Sequence, residues 1–597
     1  MAIATPKNLG FLFLETARNY PDKPAFLRKI DGRYVPLVWK DAVRQIASLA
    51  AVLSEKGLVA GDRLAILSEN RFEWAFTDLA AQCLGVATVP IYATLTAGEV
   101  RYILEDSAAR AIAVSTKAQL EKFTRACEGG RSPAAGCVAA LVFDPEVQAL
   151  QADCPVPIVP VGQALRREGD PERLERLAAA VPPDAIASLI YTSGTTGPPK
   201  GVELTHSNFI QNVVAARETL KMGPADVHLS FLPLCHVFER MAGHYLMVHI
   251  GATIAYAENL DTVPKNLLEV RPTFILGVPR FFEKIRDRVL EAVRSAGPFR
   301  KGIFFWAKEL GEKRRLGGKT GALQRALADR LVYSKFRARL GGRVRFCVSG
   351  GAALAKELAE FFADLGVMVY EGYGLTETSP VISVNREGRW KFGSVGVPLE
   401  TVSVRIAEDG EILTAGPCVM KGYHNKPAET AEVLRDGWFH TGDLGTIDRE
   451  GFLTITGRKK ELIVTSGGKK ISTRAVEELV EADPHVLRCV LFGEGRKFIT
   501  ALIVPDRQKL LEHAASEKIA FTSYADLLRN AKVRDFLAAR IEALSQDLAN
   551  YERIKYFHLA ERDFSQEAGE LTPTLKVKRD VVLRRYKEDL LRLYEGV

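Results

Sequence analysis

The 597-residue chain has eight cysteines (83, 127, 137, 154, 235, 347, 418 and 489) but no CxxC pair, so the spacing of a zinc module or a disulfide framework is missing and a reduced compartment is the simplest expectation. HExxH and clustered His/Cys patterns are also missing, which leaves no support for a transition-metal site. No apolar run approaches the ~20 residues that span a bilayer. The longest, around Tyr245–Ala257, is broken by His249. The opening MAIATPKNLGFLFLETARNYPD meets charged and polar residues too early for a secretion leader, so a cytoplasmic location is expected. Internal repeats, heptads and low-complexity tracts are absent as well. The net charge of +8 is not spread evenly. Residues 296–345 hold fourteen Lys/Arg against three Asp/Glu, a local excess of eleven, which leaves the remainder near −3. A uniformly basic nucleic-acid binder is therefore disfavoured, and no nucleic-acid partner is expected.

Apolar residues at 47% and charged residues at 26% are ordinary globular usage. At about 100–200 residues per domain, the length implies at least two compact units. Short apolar runs alternate with longer amphipathic ones. DRLAILSEN (62–70) reads as a strand and FEWAFTDLAAQCLG (72–85) as a helix; VATVPIY (86–92) and TAGEVRYILEDS (96–107) repeat the couple. RAIAVS (110–115), TFILGVP with RFFEKIRDRVLEAV (273–293) and RVRFCVSGG with KELAEFFADLG (343–366) continue it. Strands separated by helices predict an α/β fold of helix-covered, parallel-type sheets. From 393 the texture changes to short strands and turns, a β-rich subdomain over about 393–456. After Arg458–Glu461 comes a smaller α/β section in which VLFGEGRKFITALIVP (490–505) reads as a hairpin. The expected organisation is a large domain over 1–456, a hinge at 457–461 and a mobile C-terminal domain over 462–597.

The richest segment is YTSGTTGPPKGV (191–202), following the apolar strand AIASLI. Small hydroxyls and glycines let backbone N–H groups approach phosphate oxygens, and Lys200 adds a point charge. It is not a Walker A loop, because Gly194 to Lys200 is too short and Gly201 stands where that motif needs Ser or Thr.

The full string resembles the phosphate loop of the adenylate-forming superfamily: acyl-CoA synthetases, nonribosomal adenylation domains and luciferases. The resemblance runs along nearly the whole chain. PLCHVFER (233–240) is similar to the histidine segment of long-chain acyl-CoA synthetases, SGGAAL (349–354) to the adenine-side glycine loop, and YEGYGLTET (370–378) to the YGxTE element. TGDLG (441–445), GRKKELIVTSGGKKIS (457–472) and LTPTLKVKR (571–579) resemble the ribose, hinge and C-terminal lysine elements in the same order. The wording of several favours the long-chain fatty acid branch.

The resemblance implies a two-step reaction with ATP, Mg²⁺ and coenzyme A. A carboxylate is first joined to the α-phosphate of ATP, expelling pyrophosphate; a thiol then attacks the acyl-adenylate and AMP leaves. An anion attacking an anion requires charge neutralisation and positioning. By motif position, Lys576 bridges carboxylate, ribose and α-phosphate, and Lys578 is the alternative because Leu575 stands where glycine often precedes that lysine. Glu377 holds Mg²⁺ with the Thr192 hydroxyl, hard oxygens suiting that ion. Thr376 contacts the α-phosphate, while Thr192, Ser193, Gly194, Thr195, Thr196, Gly197 and Lys200 cradle the triphosphate. Tyr373, beside Gly374, stacks on adenine along the Gly350, Gly351 and Ala352 backbone, and Asp443 and Arg458 meet the ribose. His236 either lines the acyl or carboxylate site or packs in the core, and Phe238 is a substrate-site residue.

One cleft must serve two chemistries, and the lysine of the first would obstruct the thiol of the second. The resemblance implies rotation of the small domain about Lys460, which turns Ser466, Gly467 and Gly468 toward the site for pantetheine to pass. In 296–345, Phe299, Phe304, Phe305 and Trp306 lie beside Lys/Arg, a pattern suited to peripheral membrane contact at the inner face, to the acyl tunnel, or to an ordinary helix face. Two alternatives to a long-chain fatty acid–CoA ligase stand open: a ligase for medium-chain or aromatic acids or for a carrier protein, and a non-catalytic lipid-binding protein on the same scaffold.

Overall fold

The computed structural model describes residues 5–128, 133–145, 154–192, 198–572 and 576–595. Its largest sheet runs in the order Gly422–Tyr423, Lys200–Thr205, Ile186–Thr192, Ala87–Ile91, Arg63–Leu67, Ala111–Val114, Ala139–Val142, Ile158–Pro160. From Ile186–Thr192 outward to Ile158–Pro160 the pairings are parallel, and the other two are antiparallel. A second sheet joins Phe274–Gly277, Phe346–Ser349 and Met368–Gly374 in parallel, then Val381–Val384 and Val397–Pro398 antiparallel. A third sets Val227–Ser230, Thr253–Tyr256 and Pro24–Ile30 in parallel and closes with the antiparallel strand Arg33–Val38.

The expected strand–helix couples are present, but the sheets are mixed rather than parallel throughout. The reason is connection length. Only seven residues join Thr192 to Lys200, and six join Gly374 to Val381, too few for the crossover of a dozen or more that parallel pairing requires. Strands such as AIAV (111–114) and FILG (274–277) are buried at every residue, so they read as continuous apolar runs. Helix Phe72–Leu84 is covered from Glu73 to Leu84 and stops at Gly85, whose φ of 70° makes the left-handed cap. Helix Ala97–Ser107 starts with a capping box between Thr96 and Glu99.

A separate antiparallel sheet follows, in which Ser403–Ile406, Glu411–Ala415, Trp438–Ile447 and Leu434–Arg435 are neighbours and Leu453–Arg458 also pairs with Trp438–Ile447. Beyond the turn Lys459–Glu461 come the hairpin Leu462–Val464/Lys470–Ser472 and the sheet Val486–Phe492, Thr500–Pro505, Tyr556–Leu559. This smaller C-terminal α/β domain has its own core, including Ile471, Val480, Leu491, Ile503 and Leu537. It docks on the large domain where the Ser472 hydroxyl donates to the Thr456 carbonyl at 3.2 Å.

Candidate active site

Strand Ile186–Thr192 ends at Thr192, and the chain returns at Lys200, directly opposite it in the hairpin. Ser193, Gly194, Thr195, Thr196 and Gly197 lie outside the described residues. Lys200 Nζ stands 2.5 Å from Glu429 Oε2 and 5.0 Å above the Tyr423 ring. The same ring leads to Glu377, whose Oε1 accepts the Tyr423 hydroxyl at 2.8 Å. Glu377 lies with Thr376 on the short 3₁₀ turn Thr376–Thr378, and its backbone carbonyl accepts the Met420 N–H at 2.8 Å. Burial raises the pKa of the Glu377 carboxyl above the usual range. The strand entering this turn needs glycine at 374, since a Cβ there would lie 1.8 Å from the Pro380 carbonyl oxygen.

A second group sits within reach of the first. Asp443 is buried, with Oδ2 accepting the Tyr373 hydroxyl at 2.7 Å and Oδ1 2.6 Å from Arg458 Nε. Facing strands carry Asp443 and Arg458 in direct register. Arg458 and Asp443 both act electrostatically on Glu377, so the two groups are near neighbours.

Lys576 comes to this cleft from the small domain. Its loop is closed by Lys576 N–H to Thr572 Oγ1 at 3.0 Å and Thr572 N–H to the Lys576 carbonyl at 2.8 Å. The residue is exposed, yet protein crowds its side chain on the remaining sides. That desolvation, with the positive charges of Arg458 and Arg474, lowers its ammonium to about 8 against the partial relief of Asp443 and Glu461. Its charge reaches His236 in turn: burial first, then Lys576, holds that imidazole at about 4. His236 is therefore neutral at physiological pH. Nδ1 accepts the Phe238 N–H at 3.2 Å, which puts the ring proton on Nε2 as a donor. Phe238 is buried against the glycine loop, so close that a Cβ on Gly350 would lie 3.1 Å from its ring. Gly351 has φ +80° and Ala352 is exposed. The loop is pinned by Leu354 N–H to Glu371 Oε1 at 2.9 Å, and burial pushes the Glu371 carboxyl up to about 7.

Other expected residues lie elsewhere. Gly467 and Gly468 are exposed at a hairpin turn, where Ser466 N–H donates to the Arg496 carbonyl. Lys460 is exposed on the turn Lys459–Glu461. Lys578 reaches out to Glu99, 3.9 Å away. Tyr423, Glu429, Glu371 and Arg474 were not singled out by the sequence. Only the helix-opening proline of NKPAET hints at the strap carrying the first two, and no local signal ties it to Lys200.

The chemistry of this set is that of a polyanion site. Lys200, Arg458 and Lys576 supply cations, and Tyr373 and the Gly350–Ala352 backbone offer an aromatic and peptide surface for a base. Glu377 engages one oxygen with Tyr423 and makes no ion pair among the described residues, and the Thr192 hydroxyl offers a further hard oxygen. One carboxylate plus substrate phosphates is how Mg²⁺ is ordinarily held, so the residues present fit that ion. Among the described residues no cluster of three His/Cys/Asp/Glu forms a self-sufficient metal cage.

Comparison with known proteins identifies the family. The family described as AMP-binding enzyme matches residues 13–424, and the AMP-binding enzyme C-terminal domain matches 460–597. A long-chain-fatty-acid–CoA ligase of Mycobacterium bovis, FadD15, is 37% identical over 598 residues, covering 98% of this chain and 97% of its own. The peroxisomal long chain acyl-CoA synthetase 6 of Arabidopsis thaliana is 31% identical over 586 residues, 94% of this chain and 82% of its own. Among solved structures, the anthranilate CoA ligase AuaEII in complex with anthranoyl-AMP shares the fold, with a TM-score of 0.73 at 19% identity over 99% of both chains.

Proposed function

The chain belongs to the AMP-binding enzyme family, and from that membership and its cleft we propose that it is an AMP-forming ligase joining long-chain fatty acids to coenzyme A. In the first step a carboxylate oxygen attacks the α-phosphorus of ATP, and the bond to pyrophosphate breaks. In the second the coenzyme A thiol, losing its proton, attacks the acyl carbonyl and the bond to AMP breaks. Lys576 neutralises the carboxylate and α-phosphate as they meet, assisted by Thr376. Asp443 accepts from the ribose hydroxyls, and Arg458 donates beside it. Tyr373 and the Gly350–Ala352 backbone flank the adenine. Lys200 and residues 192–197 hold the β- and γ-phosphates. Mg²⁺, when bound, screens the triphosphate charge; Glu377 and Thr192 are the residues that would hold it. His236 presents Nε2–H to the acyl carboxylate, with Phe238 beside it on the acyl path.

What supports this reading is that Lys576, from the small domain, lies within electrostatic reach of Asp443, Arg458 and His236. Such an arrangement serves the first step. For the second, the small domain turns about Lys460, withdrawing Lys576 and bringing Gly467 and Gly468 to the pantetheine path. Thioester formation with ATP, Mg²⁺ and coenzyme A across acids of increasing length tests the assignment. A maximum at long chains is expected; benzoates outrunning every fatty acid would overturn it.

Peripheral membrane contact is part of the same proposal. Helix Pro298–Arg315 buries Phe304 and half-buries Trp306, so these two serve the core. Phe299, Leu316 and Leu323 are instead 80%, 72% and 84% exposed, interspersed with exposed Lys313, Arg314, Lys319 and Arg325. Exposed apolar residues among cations suit the headgroup level of an anionic bilayer, where an insoluble acid resides. No helix among the described residues is long and apolar enough to cross a membrane.

A further inference from the structure

The strap 422–433 places two side chains on the phosphate side of the cleft. Strand Gly422–Tyr423 adds to the edge of the largest sheet, Tyr423 facing Val202 across the strand that starts at Lys200. Its backbone is fixed: Tyr423 N–H donates to Thr430 Oγ1 at 2.9 Å, and that hydroxyl donates to the Lys426 carbonyl at 2.9 Å. Gly422 leaves no room for a side chain, since a Cβ would meet Thr430 Cγ2 at 2.9 Å. The phenol is thus delivered from a pinned backbone to one place. There its hydroxyl donates a hydrogen bond to Glu377 Oε1, and its ring lies under Lys200.

We propose that Tyr423 is a positioning residue for the adenylation step, occupying one oxygen of Glu377 so that the other is turned to the nucleotide's divalent cation. Glu377 rises from a three-residue turn on a side chain with three rotatable bonds, so its carboxylate has no fixed direction of its own. A hydrogen bond to one oxygen removes that freedom before the cation arrives. The inference rests on Glu377 being the cation's ligand.

Tyr423→Phe keeps the ring beneath Lys200 and deletes only the hydroxyl. Pyrophosphate release is followed against Mg²⁺ concentration, and Mn²⁺ binding in the presence of ATP without acid is measured by electron paramagnetic resonance. Loss of one hydrogen bond to a charged group should raise both the half-saturating Mg²⁺ and the Mn²⁺ dissociation constant about tenfold. Thioester formation from supplied acyl-adenylate should stay within about twofold, which also reports an intact fold. An unchanged metal dependence overturns the proposal, as does an equal fall of both half-reactions. Glu377→Gln separates the two assignments. If it weakens Mn²⁺ while Tyr423→Phe does not, only the role of Tyr423 fails. If Glu377→Gln leaves Mn²⁺ affinity untouched, the cation assignment fails and the inference falls with it.

Discussion

Lys576 carries the sharpest consequence for pH. The groups around it are Arg458, Arg474, Asp443, Glu461 and His236, and the crowding plus the two guanidinium groups bring its ammonium to about 8 in the free enzyme. The step needs the charged form, and the pKa is depressed, so activity is present below about 8 and is lost as pH rises through it. At a pKa of about 8 the charged fraction is about 90% at pH 7, half at pH 8 and about 10% at pH 9. An ordinary lysine near 10.4 would still be about 96% charged at pH 9. The kcat/KM for ATP in pyrophosphate release, which reports the free enzyme, should therefore fall about tenfold between pH 7 and 9. His236, at about 4, does not titrate in that window. In kcat the limb should move to higher pH, because bound triphosphate favours the ammonium. Arg474→Gln should shift the kcat/KM limb upward as well. A kcat/KM profile that stays flat to pH 9.5 would refute the assignment of this lysine to the cleft.

Glu429→Gln frees Lys200 from a partly exposed ion pair worth about 0.2–1 kcal/mol, so the KM for ATP should drop by a factor of about 1.4 to 5 in steady-state assays. Gly374→Ala sets a Cβ against the Pro380 carbonyl, backbone that cannot yield; a loss of about 1–3 kcal/mol in denaturant unfolding and of nearly all adenylation is expected. Replacing Phe299 and Leu323 together by Asp should reduce cosedimentation with anionic vesicles severalfold and leave turnover of a detergent-solubilised acid unchanged.

Much of the fold is legible because local patterns carry it. FEWAFTDLAAQCL ends at a glycine with left-handed φ, and AIAV and FILG are too apolar to be anything but interior. Less legible is what depends on distant partners. In PLCHVFER, Glu239 and Arg240 look like surface charges, yet both are fully buried. Arg240 Nη2 bonds Asp78 and Thr88, its Nη1 lies 2.6 Å from Ser188 Oγ, and Glu239 meets His228 at 2.9 Å. Those partners arise from other strands and helices, and nothing in the local spacing names them. The same holds for Tyr423, which reaches Glu377 only because a two-residue strand joins the sheet edge beside Lys200. Motif order points to the cleft; the groups that aim its side chains come from sheet topology.

The most direct measurement takes Lys576→Ala through each half-reaction separately. Pyrophosphate release with palmitate, ATP and Mg²⁺ should fall about 10²–10³-fold, the loss typical of one preorganised charge-stabilising donor, while thioester formation from supplied palmitoyl-adenylate stays within about threefold. Equal loss in both steps, or full retention of the first, would contradict a lysine that enters the cleft from the small domain for adenylation alone.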